Sequence, residues 1–333
     1  MEANKKHKCI NTEDGSSKST PKWLLYGVGA AFALSVGFSF YGIKKCVPYA
    51  DTLTILTYRY MAALIGVAIW LTVAKAIGKF EKSPTVRPKA KLYQNSAFYI
   101  LFMIFQILAM YFATSIEGAI VFSMVPIFAK ILGRIILGER STKLQMFFII
   151  LTVSALFVLI ILNATDLTLN VTGIIIMTIG CIFMGFQTVS SRYVRGIFKP
   201  IEITTAIAIG GSIVFVSASL IRALMRGEIG FLIEPLRHWD FIIWVSFLGI
   251  FCILLSAQFM AYMLAHMEIV QSSIFSNAST LISIIAGAVL LGEPLYLYHF
   301  ICGAIIIAGV VGLMMAPTKP ENAGKALSDR MNQ

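Results

Sequence analysis

The sequence predicts an all-α integral membrane protein with ten transmembrane helices, arranged as two inverted five-helix repeats. The observations behind this prediction are the composition, the number of long apolar segments, and a Leu-Gly-Glu triplet that recurs in both halves. Of 333 residues, 58% are hydrophobic and 13% are charged, and the mean hydropathy is +0.83. Water-soluble domains are about half apolar and about a quarter charged, so the composition excludes that class.

Ten apolar segments are each long enough to cross a bilayer as a helix. Roughly 20 apolar residues span the hydrocarbon, where every backbone N–H and C=O must be paired within the segment. We predict the spans at 23–43, 52–74, 95–115, 118–137, 144–162, 171–191, 201–221, 241–264, 269–291 and 296–315. Glu117 marks one very short join, and His266 and Glu268 mark another. Merging the spans at either join would give a helix much longer than the bilayer is thick.

The basic residues predict the orientation of the chain in the membrane. The net charge is +11, but 20 of the 27 lysines and arginines fall in segments on the side of the termini, and five fall on the other side. Cytoplasmic segments carry such an excess, so both termini are predicted to be cytoplasmic, in a cell membrane. The charge therefore indicates membrane orientation and no nucleic acid. The polar segments 1–22 and 316–333 are predicted to be disordered tails.

An internal repeat relates residues 23–162 to residues 171–315. The triplets at residues 137–139 and 291–293 are 154 residues apart, and each ends the fourth span of its half. Because five crossings are an odd number, the second half is inverted relative to the first. Inverted repeats in membrane proteins serve alternating access, in which a central site opens to each side in turn.

The pattern of ten helices, the two triplets, Arg59 within a Thr-Tyr-Arg-Tyr sequence, and Pro126 in the fourth span resemble the EamA branch of the drug/metabolite transporters. The resemblance covers residues 23–315. It implies a secondary transporter, an exporter or exchanger of amino acids or related metabolites, with its site between the halves. The chain departs from the family pattern at Thr280, where the second half often has proline, and at Lys130, which charges a usually apolar helix.

Two basic residues within spans are candidates for substrate binding, because an ionisable group in the membrane is costly unless it is paired or faces a wet cavity. Arg59 either binds substrate or ties helices together by donating to carbonyls or to a carboxylate such as Asp51 or Glu117. Lys130 shares a predicted helix face with Ser123, and it either attracts an anionic substrate or extends toward the headgroups.

Three neutral polar residues are further candidates for substrate binding. Ser123 and Asn277 are related by the repeat offset and are predicted to lie near mid-membrane, with Gln106 at a similar depth. An amide donates and accepts hydrogen bonds at once, which suits a zwitterionic or uncharged polar solute. Polar side chains also join membrane helices without touching a ligand, so both roles stay open.

Three glutamates are candidates for gating or coupling. Glu139 and Glu293 follow the glycines of the two triplets and could pair with basic residues across the repeat, although Gly-Glu at these places also reads as a helix stop. Glu117 could titrate during a transport cycle, or it could be an interfacial turn residue.

The sequence excludes several other classes of function. It holds no GxxxxGK[ST] phosphate loop, no HExxH and no GxSxG with a histidine partner, so we expect neither ATP use within the chain nor an enzyme. The five cysteines are scattered and predict no disulfide framework or metal site, and no cofactor is expected. The expected partners are a small-molecule substrate and the lipid bilayer, with a homodimer left open. The alternatives are a pore or lipid scramblase, and an antiporter of organophosphates or other anionic metabolites.

Overall fold

The structure is a computed structural model that describes residues 22–78, 87, 89–138, 141–164, 170–227, 229–267 and 269–316. In these ranges the chain is helical, without strands. The helices of the first half are α1 (Lys22–Cys46), α2 (Thr52–Ala76), α3 (Lys89–Ala109), α4 (Ser115–Phe122), α5 (Val125–Leu137) and α6 (Lys143–Ala164). Those of the second half are α7 (Asn170–Val194), α8 (Pro200–Arg226), α9 (Gly230–Ile233), α10 (Trp239–Gly249), α11 (Ser256–His266), α12 (Ile269–Leu290) and α13 (Leu297–Met315).

These helices form the ten predicted spans. Helices α4 and α5 make up the fourth span, and α10 and α11 make up the eighth, joined by a π-helical turn at Ile250–Leu255. Nine spans in the described residues are long and apolar enough to cross a membrane, and α12 contributes a shorter apolar stretch, Ile274–Leu290. We name the ends of the bundle outer and inner after the orientation that the charge bias predicts. The chain of α1 then runs from the inner end to the outer end.

The packing of the spans follows the repeat. The first span packs on the ninth and the sixth on the fourth, while the third packs on the sixth and the eighth on the first. The second span packs on the seventh and the fifth on the tenth. Adding five to each span number, and counting on from one after ten, converts the first four pairs into one another and the last two into themselves. The inverted repeat predicted from two triplets is therefore present in the interhelical contacts, and each half packs chiefly against the other.

Two glycines make equivalent close contacts in the two halves. A Cβ on Gly37 in α1 would lie 2.6 Å from the side chain of Ile282 in α12. A Cβ on Gly185 in α7 would lie 3.0 Å from Leu132 and 3.2 Å from the backbone nitrogen of Ala129 in α5. Small residues let membrane helices approach closely. The two glycines therefore hold the first and sixth spans against the ninth and fourth.

The fourth span is interrupted at mid-membrane, whereas its counterpart is continuous. Helix α4 ends at Phe122, and α5 begins three residues later with proline in its first turn. Pro126 has no N–H for the carbonyl of Phe122, so the hydrogen-bond ladder stops there. Thr280 occupies the corresponding place in α12, which runs unbroken from Ile269 to Leu290. The departure from the family pattern at Thr280 thus makes the two repeats structurally unequal.

Both Leu-Gly-Glu triplets end their helices through a left-handed glycine. Gly138 has φ +71° and Gly292 has φ +65°. Glycine adopts this conformation without the steric cost of a Cβ, so the helix-stop interpretation of both sequences is confirmed. At the second triplet the turn places the side chain of Glu293 over the outer end of the bundle.

Candidate functional site

Arg59 is buried between the halves and has no carboxylate partner among the residues that the structure describes. Its side chain is 1% exposed, its Nη1 lies 3.5 Å from Oε1 of Gln106, and its Nε has no hydrogen-bond partner. The acidic residues suggested as its partners are engaged elsewhere, because Asp51 pairs with Arg222 and Glu117 contacts His299. Among the described residues the guanidinium of Arg59 therefore contacts the amide oxygen of Gln106 on α3 and neither of the two suggested carboxylates.

Phenol and thiol groups lie within electrostatic range of the guanidinium of Arg59. It interacts electrostatically with Tyr60 and Tyr99, and with the thiols of Cys46 and Cys252. The hydroxyl of Tyr60 is buried and also lacks a hydrogen-bond partner. Counting from the start of α2, Arg59 lies roughly 10 Å below the outer end at 1.5 Å per residue. The site is thus a small polar region in the outer half of the bundle, and it has more hydrogen-bond donors than acceptors.

Aromatic rings line the core next to this region. The rings of Tyr99 and Phe102 lie 6.1 Å apart, Phe102 stacks on Phe122 at 5.7 Å, and Phe122 packs edge-on against Phe40 at 5.8 Å. Phe122 is the last residue of α4, so this aromatic cluster ends where the fourth span is interrupted. Broken transmembrane helices beside a buried polar residue are typical of transporter binding sites.

The structure brings together two of the five predicted substrate residues, Arg59 and Gln106. Ser123 is buried at the helix break, where its hydroxyl donates to the carbonyl of Ile120 at 2.6 Å. Lys130 in α5 and Asn277 in α12 are half-buried. Because the span breaks between Ser123 and Lys130, the assumption of one continuous helix face joining them is wrong.

Glu293 closes the outer end by capping a helix of the other repeat. Its Oε1 accepts a hydrogen bond from the backbone N–H of Ser115 at 2.9 Å. Its Oε2 accepts from the Ser115 hydroxyl at 2.7 Å and from the backbone N–H of Ile116 at 3.2 Å. A carboxylate at a helix N-terminus satisfies amides that have no partner within the helix and lies in the favourable field of its dipole. Glu293 therefore does reach across the repeat, and its hydrogen bonds go to a helix terminus.

Glu117 and His299 form a buried pair beneath that cap. Glu117 is fully buried in the first turn of α4, where Oε2 accepts from the backbone N–H of Thr114 at 2.8 Å and the Thr114 hydroxyl accepts from the N–H of Glu117. Its Oε1 lies 3.6 Å from Nε2 of His299, which is 2% exposed. Lys44 interacts electrostatically with both Glu117 and Glu293. We call Glu117, Glu293, His299, Ser115 and Lys44 the outer closure.

Sequence reasoning missed three members of the outer closure. His299, Ser115 and Lys44 lie near span ends and carry no motif of their own. The sequence from Thr114 to Glu117 does match the capping-box pattern, in which a threonine and a glutamate three residues later cap a helix start. That pattern could have placed Glu117 inside the helix instead of in a turn. Glu139, the remaining gate candidate, lies outside the described residues.

A second ion pair fixes the outer rim. Asp51 caps α2, accepts a hydrogen bond from Thr54, and pairs with Arg222 of α8. Burial raises the pKa of Asp51, but the hydrogen bonds from Thr54 and Arg222 and the charge of Arg222 outweigh it, so the pKa lies below its usual value. This pair joins the second span to the seventh across the repeat.

A polar cluster ties the third span to the sixth near the inner end. The amide of Asn95 donates to the backbone carbonyl of Gln187 at 3.0 Å and to the hydroxyl of Ser191 at 2.9 Å. The amide of Gln187 donates to Ser191 at 2.9 Å. All three side chains are buried. In this cluster the polar groups join helices and are satisfied by one another, in contrast to Arg59.

The chain belongs to the EamA-like transporter family, whose sequence model matches residues 21–161 and 171–315, one match for each repeat. It is 26% identical over 289 residues to a protein of Bacillus subtilis strain 168 named uncharacterized transporter YcxC, covering 86% of this chain and 91% of that one. It is 25% identical over 293 residues to an uncharacterized transporter of Archaeoglobus fulgidus, covering 87% and 97%. A solved crystal structure with 14% identity has a TM-score of 0.57 over 87% of this chain and 97% of that one, which supports the fold.

Proposed function

We propose that the protein is a secondary transporter that exports or exchanges small organic metabolites, such as amino acids, by alternating access. Membership of a transporter family and the inverted repeat support this proposal. The solute binds between the halves, near Arg59 and Gln106. Ser123 in the fourth span and Asn277 in the ninth span belong to the same proposed site. The driving force is a gradient of the solute itself or of an ion.

The observation that carries the proposal is the unequal conformation of the two repeats. In the outer half of the fourth span, Ile116, Ile120 and Val121 are fully buried. The residue that corresponds to Ile120 by the repeat offset is Ile274, near the inner end of α12, and its side chain is 59% exposed. Residues related by the repeat thus lie in two different environments. Exchanging these environments between the repeats would close the inner end and open the outer end.

The outer closure is the gate in this scheme. Glu293 and the pair of Glu117 and His299 hold α4 against the second repeat, which shuts the path from the outer end to Arg59. In the opposite conformation these contacts separate. Closure of this kind favours a carrier over a pore or scramblase, because a continuous polar path to the outer end would have to cross the capped helix.

Counterflow in liposomes tests the proposal. The full-length protein is reconstituted in liposomes loaded with a millimolar mixture of unlabelled amino acids and hydroxy acids, and the entry of each labelled compound is measured at rising external concentration. A carrier gives saturable entry and a transient accumulation that depends on the internal compound. Protein-free liposomes give the baseline. Entry that rises without saturation and ignores the internal compound would support a pore and reject the carrier.

The proposed orientation has a separate test. Both termini are expected to be cytoplasmic, so an epitope tag at either end should bind antibody in cells only after the membrane is permeabilised. A tag inserted after Arg226, at the outer end of α8, should bind without permeabilisation. The opposite pattern would invert the outer and inner ends while leaving the fold and the repeat unchanged.

A further inference from the structure

The buried guanidinium of Arg59 differs from the other arginines whose partners are resolved. Arg87 pairs with Glu202 at 3.0 Å, and Arg222 pairs with Asp51. Both of those pairs lie near span ends, where water also solvates the charge. Arg59 is 1% exposed, carries five N–H donors, and has one contact at 3.5 Å with a neutral amide oxygen. A buried charge without a counter-charge is strongly unfavourable, so an anion is the missing partner of this site.

The groups near Arg59 suit a carboxylate. The buried hydroxyl of Tyr60 has no hydrogen-bond partner, the amide of Gln106 can rotate to donate, and the phenol of Tyr99 lies within electrostatic reach. A carboxylate presents two oxygens that match the paired donors of a guanidinium. The aromatic cluster beginning at Phe102 adds an apolar wall for the remainder of a small organic molecule.

The backbone around Arg59 supports a site that changes during transport. The carbonyl of Arg59 packs directly against Gly249, where a Cβ would clash. The π-helical turn Ile250–Leu255 begins at the next residue and contains Cys252. Such turns inside α-helices are frequent at functional sites, because they leave the hydrogen-bond ladder locally irregular. Arg59 therefore lies where the eighth span is least regular.

We propose that the transported solute carries a carboxylate group and that this group binds Arg59 during transport. The inference rests on the proposed carrier function, and it narrows the substrate class to small organic acids and amino acids. Gln106 orients the bound carboxylate, and the outer closure keeps water from the ion pair while the solute is bound.

Replacing Gln106 by glutamate would place a carboxylate of the protein itself where the ligand carboxylate is proposed to bind. Gln106→Glu places a carboxylate of nearly equal size within reach of Arg59. If Arg59 lacks an anion, this variant should raise the melting temperature of the ligand-free protein and abolish its response to added carboxylates. The same substitution in an Arg59→Gln background should lower the melting temperature. Gln187→Glu is the matched control, since it buries a carboxylate among Asn95 and Ser191 with no basic partner, and it should also be destabilising.

Thermal-shift titrations of the full-length protein in detergent test the ligand class. The probes are matched pairs: alanine and alaninamide, glycine and glycinamide, lactate and lactamide, and phenylalanine and phenylalaninamide, each to 10 mM. At least one carboxylate should stabilise the wild type, with its amide binding at least about tenfold more weakly, since hydrogen bonds to charged groups are the stronger ones. Arg59→Gln should lose this response, Arg59→Lys should keep part of it, and Arg222→Gln should keep it in full.

Several results would overturn the inference. They are equal stabilisation by acids and amides, no stabilisation by any carboxylate, retention of the response in Arg59→Gln, or destabilisation by Gln106→Glu in the wild-type background. The counterflow experiment separates this failure from failure of the carrier proposal. Saturable exchange of uncharged solutes with Arg59→Gln fully active would keep the carrier and remove the carboxylate.

Discussion

Replacing Glu293 by glutamine should loosen the outer closure without disturbing the rest of the fold. The carboxylate accepts three hydrogen bonds from the start of α4 on the opposite repeat. Glutamine has the same size but one acceptor oxygen, and its amide N–H groups would face the N–H groups of Ser115 or Ile116. The substitution also removes a negative charge from a helix N-terminus. Losing these interactions should cost the closed state about 2 to 3 kcal/mol.

That cost corresponds to a shift of about 30- to 150-fold in the equilibrium between the closed and open outer end. Hydrogen exchange measured by mass spectrometry reports it, because the amides of Ser115 and Ile116 exchange only when the cap opens. Peptides covering residues 113–123 should exchange faster by about that factor. Glu202→Gln is the matched control, since Glu202 accepts from the backbone N–H of Lys199 at 2.7 Å at the inner end.

The reasoning fails if exchange over 113–123 changes by less than about threefold in Glu293→Gln, a change too small for the loss of a charged cap. It also fails if Glu202→Gln produces the same increase, because the effect would then be general loosening. An increase confined to the outer end, together with faster counterflow from the outer side, would identify Glu293 as part of the gate.

Two further predictions concern the packing and the rim. Gly249→Ala should lower the melting temperature and reduce the free energy of unfolding by about 1 to 3 kcal/mol, because the new Cβ would clash with the carbonyl of Arg59 and lie 2.7 Å from the Cβ of Ala62. Gly27→Ala is the control, since its Cβ meets nothing within 4 Å and should leave the melting temperature unchanged. Equal melting temperatures for the two variants would contradict this account. Asp51 has a lowered pKa, so its pairing stabilises the fold above its ordinary pKa and is lost as the pH falls through the folded value. Asp51→Asn, in a half-exposed pair, should cost at most about 1 kcal/mol at pH 7 and progressively less as the pH falls below the ordinary pKa of the carboxyl, whereas an equal cost at pH 7 and in acid would show that charge is not the cause.

The architecture could be predicted from the sequence because the bilayer imposes it. Apolar segments of sufficient length must become helices, and the basic residues are distributed by the rule that orients them. Gly138 and Gly292 were interpretable as helix ends because glycine alone adopts their backbone conformation freely. These features depend on the local sequence and on the surrounding lipid and water. They can therefore be predicted without knowing which helices pack together.

The partners of individual side chains could not be predicted in the same way. The choice between Asp51, Glu117 and Gln106 as partner of Arg59 depends on the rotation of α2 against α3, which apolar periodicity does not specify in lipid. The contact between Glu293 and Ser115 joins residues 178 positions apart. It follows from the inverted packing of the repeats and could be inferred only after the ninth span was placed beside the fourth.

Pro126 and Thr280 have a consequence for the kinetics of the two membrane faces. If the repeats of the proposed carrier were interchangeable, its two end states would be related by the two-fold axis of the repeat and equal in free energy, and the solute would meet the same site from either side. The interrupted ladder at Phe122 has no copy in α12, because Thr280 keeps its N–H. In the proposed carrier the two states of the empty protein therefore differ in free energy. Half-saturation should then occur at different concentrations on the two faces, while Vmax/KM for passive flux stays equal in both directions.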